Sequence, residues 1–100
     1  MIYLRVRKIG IDVLPEGEPF ISVNIERVTV DENDAEIQVI GNFDRIYKKL
    51  SDVHFLPVGT IADDGVIDAL ELYTMIASTV YAWVIEKHGG EVIGTRLVIG

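Results

Sequence analysis

The sequence predicts an α+β fold: a two-layer sandwich in which a mostly antiparallel, bulged sheet of about five strands packs on one long helix and one short helix. Three observations predict it. Period-two alternation of apolar and polar residues recurs through the first forty residues, a helix-length apolar run fills the stretch from Asp64 to Lys87, and the strands come as a run before the helices. At 100 residues the chain is expected to be a single domain, 1–100, with one core.

The elements follow in order. Ile2, Leu4 and Val6 alternate with Tyr3, Arg5 and Arg7, and the apolar parity then shifts to Ile9, Ile11 and Val13. One extra residue around Arg7-Lys8, a β-bulge, produces such a shift. Pro15, Gly17 and Pro19 mark a loop. Ile21, Val23 and Ile25 begin a second strand whose parity slips to Val28 and Val30, which suggests a matching bulge. Asp31-Glu32-Asn33-Asp34 reads as a hairpin turn leading into a strand from Glu36 to Ile40, closed by Gly41. Asn42 is a good cap for a short helix to about Leu50, because Phe43, Ile46, Tyr47 and Leu50 share one helical face. Val53 to Val58 reads as a short strand that Pro57 confines to an edge or an end.

The long helix is the dominant feature. Of the 20 residues from Val66 to Ile85, 15 are hydrophobic. On a 3.6-residue wheel Asp64, Asp68, Glu71, Ser78, Thr79 and Glu86 form a narrow polar stripe, completed by Met75 and Ala82. Asp63 or Asp64 is a suitable N-cap, and Lys87, His88, Gly89 and Gly90 supply a basic last turn with a glycine stop. A final strand is expected from Glu91 to Ile99. One small sheet covers one side of such a rod, so a second copy of the chain is the expected cover for the rest.

Composition excludes several classes of function. Cysteine is absent, which removes disulfides, zinc-thiolate sites, iron-sulfur clusters and thiol catalysis. The formal net charge of −7 disfavours general attraction to nucleic acid or to anionic membranes. The longest uncharged stretch, Leu72 to Ile85, has 14 residues, short of the roughly 20 that span a bilayer. No secretory signal opens the chain, and the expected setting is the cytoplasm. Isoleucine occurs 14 times, valine 13 and glutamine once, a composition that leans toward a thermophilic source.

The candidate sites each have a plain structural explanation beside the chemical one. Asp31, Asp34 and Glu36 belong to the densest cluster of oxygen ligands, the stretch where a hard cation would bind, although the spacing is not that of an EF-hand and a solvated hairpin tip has the same composition. Asp63 and Asp64 stand at a helix start, where they cap the helix and would repel a phosphate. Arg5, Arg7 and Lys8 with Tyr3 share the polar face of the first strand, with Arg27 expected across from them; cross-strand pairing with Glu26 or Glu36 accounts for them better than nucleic-acid binding does. His54 and His88 lack the neighbours of a metal pair or catalytic dyad. Tyr73, Tyr81 and Trp83 on the long helix suit a core or an interface better than a ligand pocket. No arrangement of residues amounts to a catalytic or cofactor site, and no cofactor is expected. The sequence therefore reads as a small, soluble, non-catalytic homo-oligomer, a dimer in the simplest case, with no nucleic-acid or membrane partner. The alternative is a small-ligand or cation-binding module, or an enzyme with a cleft near Asp63 and Asp64 or near His54.

Overall fold

The structure, a computed structural model, describes residues 1–13, 16–54, 69–93 and 96–100. Within them the chain forms β1 (Ile2–Asp12), β2 (Phe20–Val30), β3 (Glu36–Lys49), a 3-10 turn (Leu50–Asp52), α1 (Ala69–His88), β4 (Glu91–Ile93) and β5 (Arg96–Val98). The five strands make one sheet in the order β3-β2-β1-β5-β4, antiparallel at every junction. Helix α1 lies on one face of it, so the class is α+β. The molecule is a slab of 47 × 38 × 20 Å, its thin dimension that of one sheet and one helix.

The bulge in β1 falls where the parity shift places it. The ladder passes from Val6↔Ile25 to Lys8↔Asn24, leaving Arg7 as the extra residue. Leu4, Val6, Ile9 and Ile11 thereby share the face under α1, while Tyr3, Arg5, Arg7, Lys8, Gly10 and Asp12 share the other. Strand β2 behaves differently from the expected matching bulge. Its pairing with β1 is continuous from Thr29 to Ile25, so it carries no extra residue there. The apolar residues change sides because the buried side changes: Val23 and Ile25 join the core under the helix, whereas Val28 and Val30 join Tyr3 and Val98 in a second cluster on the opposite face. The extra residues lie on β3, where Gly41, Asn42 and Phe43 stand opposite Glu26 alone.

Three further expectations need correction. The short helix from Asn42 to Leu50 is strand to Lys49, followed only by the 3-10 turn. Phe43, Ile46 and Tyr47 satisfy helical spacing, yet they are also good strand formers, and just beyond Phe43 the open edge of β2 offers the backbone a continuous ladder from Asp44 to Lys49. The final strand, read as one piece from Glu91 to Ile99, is two antiparallel strands, with Ile93 paired to Arg96. The polar stripe of the helix is also misplaced at Thr79, which is 3% exposed, while Leu70 and Tyr73 face outward at 73% and 66%. A helix apolar around most of its circumference does not by itself specify which stripe turns to solvent, and contact with the sheet decides it. The strand expected at Val53 to Val58 lies outside the described residues from Phe55 on; Val53 and His54 are described and are not strand. The first turn of the expected helix, Asp64 to Asp68, also lies outside them.

The main core joins Val80 and Val84 of α1 to Leu4, Val23, Ile25, Ile46 and Leu97 of the sheet, with Ile76, Tyr81 and Trp83 packed at its margin. Tyr81 also serves the backbone. Among the described residues β5 registers with β1 at Tyr3 and Leu4, and further along that edge of β1 Val6 N–H donates to the Tyr81 hydroxyl at 3.2 Å. At the C-terminal end of α1, Gly89 N–H donates to the Ile85 carbonyl at 2.7 Å with φ at +73°. Gly90 follows at φ +98°, where an added Cβ would stand 2.8 Å from the Val98 carbonyl oxygen.

Candidate functional site

Two concave regions lie on opposite faces of the sheet. On the helix side a groove with a volume of about 520 Å³ runs between α1 and the second half of β1, lined by Val6, Ile9, Ile11, Ile21, Tyr73 and Ile76 among others. Its walls are almost wholly apolar, with Arg7 and Lys8 at the margin. The bulge creates it, by turning Ile9 and Ile11 toward the helix beyond the point where β5 stops pairing. Tyr73 and Tyr81 both line this groove, whereas Trp83 does not: Lys48 Nζ lies 5.3 Å from the Trp83 ring centre, a cation over an aromatic face.

The other face is held by charge. Glu26, 8% exposed, accepts hydrogen bonds from Arg5 Nη2 at 2.7 Å and Nε at 3.3 Å, and Arg7 Nε stands 3.9 Å from its other oxygen. Arg5 reaches Glu36 as well, at 3.0 Å. The Glu26 hydrogen bond raises the Arg5 pKa, which Glu36 reinforces against the opposing effect of burial. Arg96 lies 4.5 Å from the centre of the Tyr3 ring and donates to both oxygens of Asp34, one of these bonds at 2.9 Å. That pairing holds the Asp34 carboxyl below its ordinary range.

The acidic hairpin is thus placed in detail. Asp31 accepts from the Asn33 and Ala35 amides at 2.8 and 3.0 Å and so shapes the turn, Asp34 sits at φ +63° and faces Arg96, and Glu36 faces Arg5. The three candidate cation ligands are therefore engaged separately. Among the described residues no group of three or more His, Asp or Glu side chains is placed to hold a metal ion. Asp63 and Asp64 lie outside the described residues. His54 is exposed, and His88 is at the other end of α1, where its Nε2 lies 2.6 Å from Asp44 Oδ2, with Lys87 Nζ 2.8 Å from the same oxygen. Burial pushes the Asp44 carboxyl upward, but Lys87, His88 and the Arg45 amide outweigh it and hold the group below the usual carboxylate range. Tyr3, Arg5, Arg7 and Lys8 share one face as expected. Arg27 does not join them; it lies on the helix side, 5.8 Å from the centre of the Phe43 ring, with its Nε buried and unpartnered.

Sequence reading missed the second concavity, a hollow of about 500 Å³ on the open face. Register builds it as three rows across β1, β2 and β3: Lys8, Asn24 and Arg45, then Gly10, Ser22 and Tyr47, then Asp12, Phe20 and Lys49. All but Lys49 line it. The signal available in the sequence was Gly10 in a strand, a position where a missing side chain opens space. Its partners became visible only once Asn42 to Lys49 proved to be strand.

Comparison of the chain with protein-family models, with curated proteins and with solved structures returns no match.

Proposed function

We propose that this chain is a small non-catalytic protein that works as a homo-oligomer, with the outer side of α1 and the adjoining groove as the contact between copies. The observation that carries the reading is the exposure of Leu70, Tyr73 and Ile11, the last 62% exposed, around an apolar groove. Leu70 and Tyr73 are three residues apart on one helical face, and Ile11 and Tyr73 line the same groove. Contiguous apolar surface of this kind marks an association site. A second copy is the favoured occupant because one patch offers both a groove and apolar protrusions beside it, the requirement for a self-complementary two-fold contact.

A cytoplasmic and thermophilic setting belongs to the same proposal, supported by the cysteine-free, β-branched composition. Among the described residues no helix is long and apolar enough to cross a membrane. Sedimentation equilibrium at micromolar concentration tests the reading. The expected species is a dimer or larger, burying at least ~1,000 Å², and Leu70→Asp with Tyr73→Asp should convert it to a folded monomer. A wild-type chain that sediments at 11.1 kDa under those conditions overturns the proposal.

A further inference from the structure

The open face concentrates positive charge in an acidic protein. Of the nine lysines and arginines, six stand on it: Arg5, Arg7, Lys8, Arg45, Lys49 and Arg96. Arg5, Arg7 and Arg96 are turned to Glu26, Glu36 and Asp34. Lys8 and Arg45 have no such carboxylate within ion-pair distance among the described residues. They flank Asn24 in one row at the margin of the hollow. Arg45 donates to the Tyr47 hydroxyl at 3.2 Å, a bond that raises its pKa, and Asp12 adds to the effect through space.

The floor is built for occupancy. Gly10 and Ser22 are small, so the β1 and β2 part of the middle row is open, with Tyr47 as its wall on β3. Asn24 Nδ2 donates to Asn42 at 3.2 Å, while its Oδ1 is buried with no donor, an acceptor left unused. Phe20 of the far row and Tyr47 of the middle row form a tilted aromatic pair, ring centres 5.7 Å apart. Four residues of strand separate the Lys8 row from the Asp12 row, about 13 Å at ~3.3 Å per residue, and a volume near 500 Å³ is that of a small-molecule site.

We propose that this hollow binds a small organic anion with a planar ring and hydroxyl donors, of the class of the nucleoside monophosphates. The phosphate sits between Lys8 and Arg45. Ser22, on the floor, accepts from a sugar hydroxyl. The ring lies against Phe20 and Tyr47, with its amino edge toward Asp12. This site opens on the opposite face from the proposed contact between copies; Lys8 and Ile11 border both, and Leu70 and Tyr73 border the contact alone, so Leu70→Asp with Tyr73→Asp tests the contact without touching the hollow.

The test titrates the isotope-labelled chain with AMP, GMP, CMP and UMP, and with adenosine and inorganic phosphate as fragments, following backbone amides by NMR. At least one monophosphate should shift the amides of Gly10, Ser22, Asn24 and Tyr47 saturably, at least tenfold more tightly than either fragment and more weakly as salt rises. Lys8→Gln with Arg45→Gln should weaken binding tenfold or more. Gly10→Val is the decisive variant. A Cβ at Gly10 meets only Ser22 Oγ, at 3.6 Å, and valine suits a strand, so the fold should persist while the hollow is filled and binding is lost. The proposal is overturned if no monophosphate moves those amides at millimolar concentration, or if a folded Gly10→Val chain binds as the wild type does. Equal binding of phosphate alone would reduce the site to a simple anion contact and overturn the ring assignment.

Discussion

On the face beneath α1, Leu4, Val23, Ile25, Val80, Val84 and Leu97 are buried against one another, and at the margin one tyrosine hydroxyl accepts from one amide. On the opposite face of the same strands, Tyr3, Val28 and Val30 are buried too, but beside guanidinium groups and carboxylates. The first arrangement excludes water by packing a second layer. The second does so by laying long charged side chains across a small apolar cluster, their stems covering it and their heads paired at the surface. Burial without a second layer is therefore possible over a short length of sheet, and where the charged cover ends, at Lys8, the open face becomes a hollow.

Variants can break this contrast. Leu4→Ala, on the central strand under the helix, should cost about 2–5 kcal/mol in denaturant titration, whereas Tyr47→Ala on the open face should cost under about 1 kcal/mol. Similar losses at the two positions would mean that the open face is covered in solution. Trp83→Ala should fall between them, near ~2 kcal/mol, because the ring is half-buried and carries Lys48 on one side. Tyr81→Phe retains the packing and removes the acceptor from Val6 N–H, for an expected cost of about 1 kcal/mol; hydrogen exchange at Val6 should quicken at the same time.

Acid provides a finer comparison. Asp44, on the helix side, and Asp34, on the open side, both have carboxyl groups held below the ordinary range. A folded-state pKa below the unfolded value contributes stability that is present above the unfolded pKa, near ~3.9, and is lost as pH falls through the folded one. Asp44→Asn should thus lower stability at neutral pH by about 1 kcal/mol, and the gap to the wild type should close below roughly pH 4. Asp34→Asn should show a smaller effect of the same sign, which added salt removes because that pair is at the surface. A gap for Asp44 that widens in acid would contradict the assignment. Smallest of all is the response to calcium: with Asp34 turned to Arg96 and Glu36 to Arg5, millimolar calcium should leave the melting temperature unmoved.

These contrasts also separate what was legible in the sequence from what was not. The β1 bulge could be read from Val6, Ile9 and Ile11 because a half-buried strand writes its register into alternation. The same rule misled at Val28, since alternation reports which side is buried and takes one buried side for granted. Phe43, Ile46 and Tyr47 fit either period, and the partner edge that settles the matter is distant in sequence. The hollow was invisible for a related reason. Its residues come from three strands, and no local pattern joins Lys8 and Gly10 to Ser22, Asn24, Arg45 and Tyr47.

Strand β5 lies between β1 and β4 in the sheet, although it is the last strand in sequence, and Leu4 pairs with Leu97 across nearly the whole chain. Closing so long a loop carries an entropic cost that local hairpins avoid. The β1–β2–β3 meander should therefore assemble first, as a three-stranded intermediate or transition state whose β1 edge still waits for the C-terminal strands. During that interval Tyr3 and Leu4 present an unpaired edge to any neighbouring chain. Leu97→Ala should consequently accelerate unfolding while leaving the folding rate almost unchanged, whereas Val23→Ala, within the meander, should slow folding itself.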